Sequence, residues 1–186
     1  MRRFASIKRC SAPSKVSSEE FRVERLSERH DRSAFTCGIE ALDRYLREHA
    51  GQDQRRRLSA TFVLVDVANG AVAGFYSLAA SAVEPSSLPE PMAKRLPRRP
   101  LPVTLIGRLA VDLGYRGREL GRRLLADALV RAAVASRDIG AVAVIVDAKD
   151  DTARAFYERH GFQRFADDPL RLFIPMADVE RQFHEI

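Results

Sequence analysis

Apolar and polar positions change period several times along the chain, and each change predicts an element. Thr61-Phe-Val-Leu-Val-Asp-Val67 and Val72-Ala-Gly-Phe-Tyr-Ser-Leu78 are apolar, β-rich runs separated by Asn69-Gly70, which predicts an antiparallel hairpin. Upstream, apolar residues recur at Ile39, Leu42, Tyr45 and Leu46, the spacing of a short amphipathic helix reaching about His49. The basic, polar stretch Gln52 to Leu58 reads as a connection. Val103 to Val111 reads as a buried strand that runs through Asp112 to Tyr115 into a glycine-containing loop. From Leu120 to about Ser136, Leu120, Leu124, Ala128, Leu125 and Leu129 form one apolar helical face, with Arg122, Arg123 and Arg131 elsewhere. Ala141 to Val146 predicts a short strand, Thr152 to His160 a helix stopped at Gly161, and Leu170 to Ile174 a final strand. Strands and helices mixed in this way predict an α/β domain with a central, largely antiparallel sheet splayed near Val111 and helices on both faces.

Two stretches break the pattern. Pro85, Pro89, Pro91, Pro97, Pro100 and Pro102 punctuate a long connection that has room for one short helix between Pro89 and Leu96. Met1 to Glu19 is rich in Ser, Arg and Lys without apolar periodicity, so residues 1–19 are expected to be a peripheral arm and 20–186 a single domain. At 186 residues and 46% hydrophobic, the chain can bury one good core. It contains no apolar run near the roughly 18 residues of a membrane span and no secretory signal pattern, so a cytoplasmic protein without membrane attachment is expected. Cys10, Cys37 and the scattered His30, His49, His160 and His184 match no zinc spacing, and neither a disulfide nor a metal is predicted.

Charge sharpens the picture. The net charge is +6, and nine basic residues face only two acidic ones between Lys94 and Arg123. A segment of that kind attracts polyanions such as nucleic acid or a phosphorylated cofactor, although an Arg-rich solvated surface has the same composition. Within it, a strand leads into Arg116-Gly117-Arg118-Glu119-Leu120-Gly121 and then into a helix. Unpaired backbone N–H groups at a helix N-terminus favour phosphate by about 0.3–1 kcal/mol before any arginine charge is added. The glycine spacing fits neither the Walker loop nor the dinucleotide fingerprint.

Three co-ordered motifs resolve the ambiguity. Gly107-Arg-Leu-Ala-Val-Asp112, Tyr115-Arg-Gly-Arg-Glu-Leu-Gly-Arg-Arg-Leu-Leu125 and Ala153-Arg-Ala-Phe-Tyr-Glu-Arg-His-Gly-Phe162 together resemble the GCN5-related N-acetyltransferases, over about Phe21 to Ile174. The resemblance implies acetyl coenzyme A as acetyl donor. Its pantetheine arm would bond the backbone of Leu109, Ala110 and Val111, and its pyrophosphate would sit on Arg116, Gly117, Arg118, Glu119, Leu120, Gly121 and Arg122. Glu119 occupies the place of the family's first glycine, and its carboxylate is expected to point to solvent. The resemblance makes Tyr157 the general acid that protonates the departing thiolate. Asp147, Asp150 and Asp151 follow a strand where a general base could lie, but the same residues suit a solvated helix start, and the base stays unassigned.

Phe35-Thr-Cys-Gly-Ile-Glu-Ala-Leu-Asp-Arg-Tyr-Leu46, Thr61-Phe-Val, Gly74-Phe-Tyr-Ser-Leu-Ala79 and Val103 to Asp112 resemble, more narrowly, the acetyltransferase toxins of bacterial type II toxin–antitoxin modules. That resemblance implies acetylation of the α-amine of aminoacyl-tRNA, arrest of translation, neutralisation by a ribbon-helix-helix antitoxin, and the possibility of a homodimer. Arg95, Arg98, Arg99 and Arg108 become candidates for tRNA phosphate contacts. Two other readings remain open: an N-acetyltransferase of a small amine or protein, and a non-catalytic module binding nucleic acid or an antitoxin.

Overall fold

The hairpin expected around Asn69-Gly70 forms the middle of the sheet: β2 (Ala60–Asp66) pairs antiparallel with β3 (Val72–Val83). The computed structural model describes residues 20–184, so the arm expected over residues 1–19 lies outside the described residues. β1 (Phe21–Arg25) pairs with the free edge of β2, and β4 (Leu101–Val111) pairs with β3. β5 (Ala143–Asp147), β6 (Gln163–Arg164) and β7 (Arg171–Pro175) complete a seven-stranded sheet in the order β1-β2-β3-β4-β5-β7-β6. Every pairing is antiparallel except that of β4 with β5.

Helices cover both faces. The 20-residue α4 (Leu120–Ile139) lays Leu124, Leu125, Ala128 and Leu129 on one face, against Leu64, Tyr76, Ile106, Val144 and Val146. The apolar face read from its heptad-like spacing is the buried one. Gly74 permits this approach, because a Cβ there would lie 2.8 Å from the Ala110 carbonyl oxygen and 2.8 Å from Leu124 Cδ1. α6 (Met176–His184) and Tyr157 on α5 (Asp151–Glu158) share the same core. On the other face, α1 (Glu40–Arg44) continues through a π-helical turn (Tyr45–His49) into α2 (Ala50–Arg55), and buries Tyr45, Leu46 and Ala50 against Val63 and Phe75. α3 (Glu90–Ala93) caps a third cluster around Val103, Ile145, Phe165 and Phe173.

The structure corrects several boundaries. The first helix does not stop near His49: the extra residue of the π turn lets the chain continue to Arg55, through most of the stretch read as a connection. β3 runs on to Val83 because β4 pairs with it along its whole second half, through Ala82↔Pro102 and Val83↔Leu101. β1 and α6 carry no pattern strong enough to announce them, and both take their stability from the sheet they cover. No helix among the described residues is long and apolar enough to cross a membrane.

Candidate active site

The site is made by a strand that loses a neighbour. β4 pairs with β5 only through Thr104, Leu105 and Ile106, and beyond that point it pairs with β3 alone. The pairing with β3 shifts between Ser77 and Leu78, so that Gly107 is an extra residue, and a bulge of this kind bends its strand and increases its twist. Gly107 to Val111 therefore presents about 16 Å of backbone edge to the gap beside β5. Leu109, Ala110 and Val111 all lie there, and with Ile106, Arg116, Ala148 and Tyr157 they line a cleft of about 430 Å³.

At one end of the cleft the loop after β4 delivers a helix N-terminus. Among the described residues, the backbone N–H groups of 117–122 donate to no protein acceptor, and Gly117, Arg118, Glu119 and Arg122 are exposed. Gly117 and Glu119 adopt left-handed backbone at φ 78° and 54°. Glu119 is the helix-capping residue, one step before the first turn where its sequence position suggested it, and its side chain makes no capping hydrogen bond. The left-handed conformation explains why the family has glycine here: a residue with a Cβ is disfavoured by roughly 1–2 kcal/mol. The carboxylate is exposed, in line with the expected solvent orientation.

The arginines divide by task. Arg116 donates through Nη2 to the Cys37 carbonyl at 2.7 Å and so fastens the loop before α1 to the loop after β4. Asp112 reinforces that seam by accepting from the Thr36 N–H at 2.9 Å and the Gly114 N–H at 2.8 Å. Asp43, buried on α1, accepts from the Cys37 N–H at 2.8 Å and the Thr36 hydroxyl at 3.0 Å. Burial alone would raise its pKa, but these donors and Arg47 hold the carboxyl below its usual range. Arg118 turns towards β1, 3.2 Å from Glu20 and over the Phe21 ring. Arg122 has no partner among the described residues and stands exposed on the first turn of α4. Leu120 gives the site only its N–H, since its side chain enters the core.

Tyr157 projects from α5 towards the cleft, with its ring 5.2 Å from Phe156 and 5.4 Å from Phe162. It is 8% exposed, and its hydroxyl has no protein partner among the described residues. Burial pushes the phenol up to about 12, so it remains a proton donor at neutral pH. The three acids after β5 separate: Asp150 caps α5 by accepting from the Ala153 N–H at 2.8 Å, Asp151 pairs with Arg154, and Asp147 alone lines the cleft, 3.4 Å from Arg171. The helix-start reading thus holds for two of them.

A model of the acetyltransferase (GNAT) domain matches residues 57–164. The chain belongs to that family. A tRNA-acetylating toxin of Mycobacterium tuberculosis is 40% identical over 155 residues, spanning 83% of this chain and 92% of that protein. The solved structure of AtaT complexed with acetyl-methionyl-tRNAfMet superposes with a TM-score of 0.82 at 28% identity, over 88% of this chain and 99% of that one. A mutant AtaT toxin bound to the C-terminus of the antitoxin AtaR and acetyl-CoA superposes with a TM-score of 0.75 at 26% identity, over 88% and 98% of the two chains.

The remaining basic residues of this acetyltransferase domain are not where their contiguity in sequence suggests. The side chains of Arg95, Arg98 and Arg99 are exposed and have no partners among the described residues, but they precede Leu101, so β4 carries them roughly 33 Å from the loop that follows Val111. Arg108 alone reaches the cleft, where its guanidinium lies 3.5 Å over the ring of Tyr45. One basic segment becomes two patches and a bridge. The roles missed in the sequence are those of the seam: Asp112 and Asp43 stand within the quoted motifs but receive no role there, because partners 76 and six residues away leave no mark on a local pattern.

Proposed function

We propose that this acetyltransferase transfers an acetyl group from acetyl-CoA to the α-amine of an aminoacyl-tRNA, and that in the cell it is the toxin of a type II toxin–antitoxin module, arresting translation. The observation that carries the reading is the convergence of a free β4 edge, six unpartnered N–H groups and the Tyr157 hydroxyl on one cleft. Residues 117–122 and Arg122 hold the pyrophosphate, with Arg116 keeping the loop in place. The edge at Leu109, Ala110 and Val111 holds the pantetheine arm as an added strand would be held. The thioester supplies an activated acyl group, and the protein's part is to align it and to manage one proton.

An attacking α-amine titrates near 7.7–8.0 before an ester lowers it further, so a large fraction is neutral without a strong base. Tyr157, which burial pushes up to about 12 and so keeps protonated at neutral pH, hydrogen-bonds the leaving thiolate and supplies its proton. Arg108 receives the phosphate nearest the aminoacyl end, and Arg95, Arg98 and Arg99 meet the acceptor stem farther out, at a spacing only an extended polyanion spans. A ribbon-helix-helix antitoxin whose tail covers the basic surface, a homodimer, and cytoplasmic residence of a single domain over 20–186 complete the reading. The named relatives, one called a tRNA-acetylating toxin and others solved with tRNA or antitoxin, support it.

Mass spectrometry of charged tRNA incubated with the protein and isotope-labelled acetyl-CoA tests the reading. Label on the aminoacyl group of at least one tRNA is the expected result. Label on small amines or protein amines alone favours the other acetyltransferase reading instead.

A further inference from the structure

Once the free edge of β4 is assigned to the cofactor, one wall of the cleft is left over. It is built by Cys37, Ile39, Ala41 and Leu42, from the turn before α1 and its first residues. Ile39 is the capping residue of α1 and makes no side-chain capping bond, where Ser or Asp would stabilise the helix. Ile39 and Leu42 pack only partly on the core beneath them and stay half-buried, so apolar surface faces the cleft.

The carbonyls of this wall and the Cys37 N–H are already engaged, while the Ile39 and Ala41 N–H groups at the start of α1 have no acceptor among the described residues. The Cys37 N–H is taken by Asp43, its carbonyl by Arg116, and the Ile39 carbonyl by the N–H groups of Leu42 and Asp43. The Cys37 thiol, pushed up to about 11 by burial, stays neutral and behaves as a small hydrophobe. The same hydrogen bonds fasten the wall to the loop after β4, so its shape is fixed relative to the cofactor edge. A polar side chain laid against the apolar side chains of this wall loses water without gaining a side-chain partner, whereas each buried CH₂ is favourable.

Resting on the proposed reaction with aminoacyl-tRNA, we infer that the wall formed by Cys37, Ile39, Ala41 and Leu42 is the pocket for the amino-acid side chain, and that it selects apolar aliphatic residues. Arg108, Arg116 and Lys149 also line the cleft and could reward a carboxylate instead, which makes aspartate the most demanding competitor.

The test begins with a panel of natural charged tRNAs to find an accepted tRNA body. That body is then charged in turn with leucine, methionine, glycine, serine and aspartate, and kcat/KM is measured at saturating acetyl-CoA. Leucine or methionine is expected to exceed serine and aspartate by about tenfold or more. Ile39→Ser supplies a better helix cap and so keeps the fold. It is expected to lower kcat/KM for the leucyl substrate about tenfold, with the KM for acetyl-CoA unchanged. Equal rates across the series, or a preference for glycine or aspartate, overturn the inference and leave the tRNA reading standing. A raised KM for acetyl-CoA in Ile39→Ser, with side-chain preference unchanged, also overturns it, because the wall would then belong to the cofactor. If no charged tRNA is acetylated, the reaction it rests on fails and the inference fails with it.

Discussion

The two halves of β4 lie on one strand and share one neighbour, β3, but differ in their second edge. From Leu101 to Ile106 the strand is flanked by β5 or its approach, with the Val142 N–H reaching the Pro102 carbonyl at 2.9 Å, and Leu101, Val103 and Ile106 are buried. From Gly107 to Val111 that second edge faces a cleft, and apart from Ala110 the residues are exposed or half-buried. Buried packing and an open edge lie on successive stretches of one element. An unpaired strand edge is a standing invitation to another chain, and here that edge lines a cleft of about 430 Å³.

The contrast can be broken at several points. Leu101→Ala, on the flanked half and away from the cleft, is expected to cost about 3 kcal/mol, lowering the melting temperature by roughly 6–12 °C in calorimetry. Its residual activity per folded molecule should stay near that of the parent, and a catalytic defect at full folding would mean that the two halves are not separable. Across the gap, Tyr157→Phe removes a hydroxyl with no protein partner, so the melting temperature should hold while kcat falls about 100-fold, or about 2.7 kcal/mol. Unchanged turnover would remove Tyr157 from the chemistry.

Asp43→Ala loosens the seam that backs the open half, and chemical denaturation at pH 7 should register about 2 kcal/mol. Because the folded carboxyl is held below its usual value, this contribution is complete above about pH 4 and is lost as pH falls through the lower folded value. Parent and variant should therefore converge in acid, and a gap that persists there would assign the effect to packing. The smallest change is expected from Glu119→Gly, which relieves left-handed backbone and should stabilise by about 0.5–1 kcal/mol in the same denaturation measurement. Affinity for acetyl-CoA, read by calorimetric titration, should move less than tenfold, and a larger gain would show that the carboxylate opposes the phosphates.

Much of this was legible beforehand, for reasons that differ by element. The hairpin and α4 announce themselves through strictly local periodicity, since each buries a face whose residues recur at a fixed spacing. The loop from Arg116 to Gly121 is legible as a candidate anion site from its order with Leu109 and Tyr157, and the structure adds that its N–H groups have no acceptor among the described residues. Glu119 was visible as an anomaly, but its left-handed conformation was not, because backbone conformation at one residue depends on how strand and helix must meet. The extent of the first helix escaped because Gln52 to Arg55 are polar and lie beyond an inserted π residue that shifts the periodicity.

By itself, then, the sequence determined the elements, the order of its three motifs and the concentration of positive charge between Lys94 and Arg123. Each of these is a property of neighbours along the chain. Only the tertiary structure decided that β5 leaves β4 after Ile106, that Asp112 and Arg116 fasten Thr36 and Cys37 to the cofactor loop, and that an 11-residue strand separates one basic run into two patches. Those outcomes depend on which backbone groups find partners at long range, and hydrogen bonds between residues some 80 positions apart leave no periodic trace in the chain that makes them.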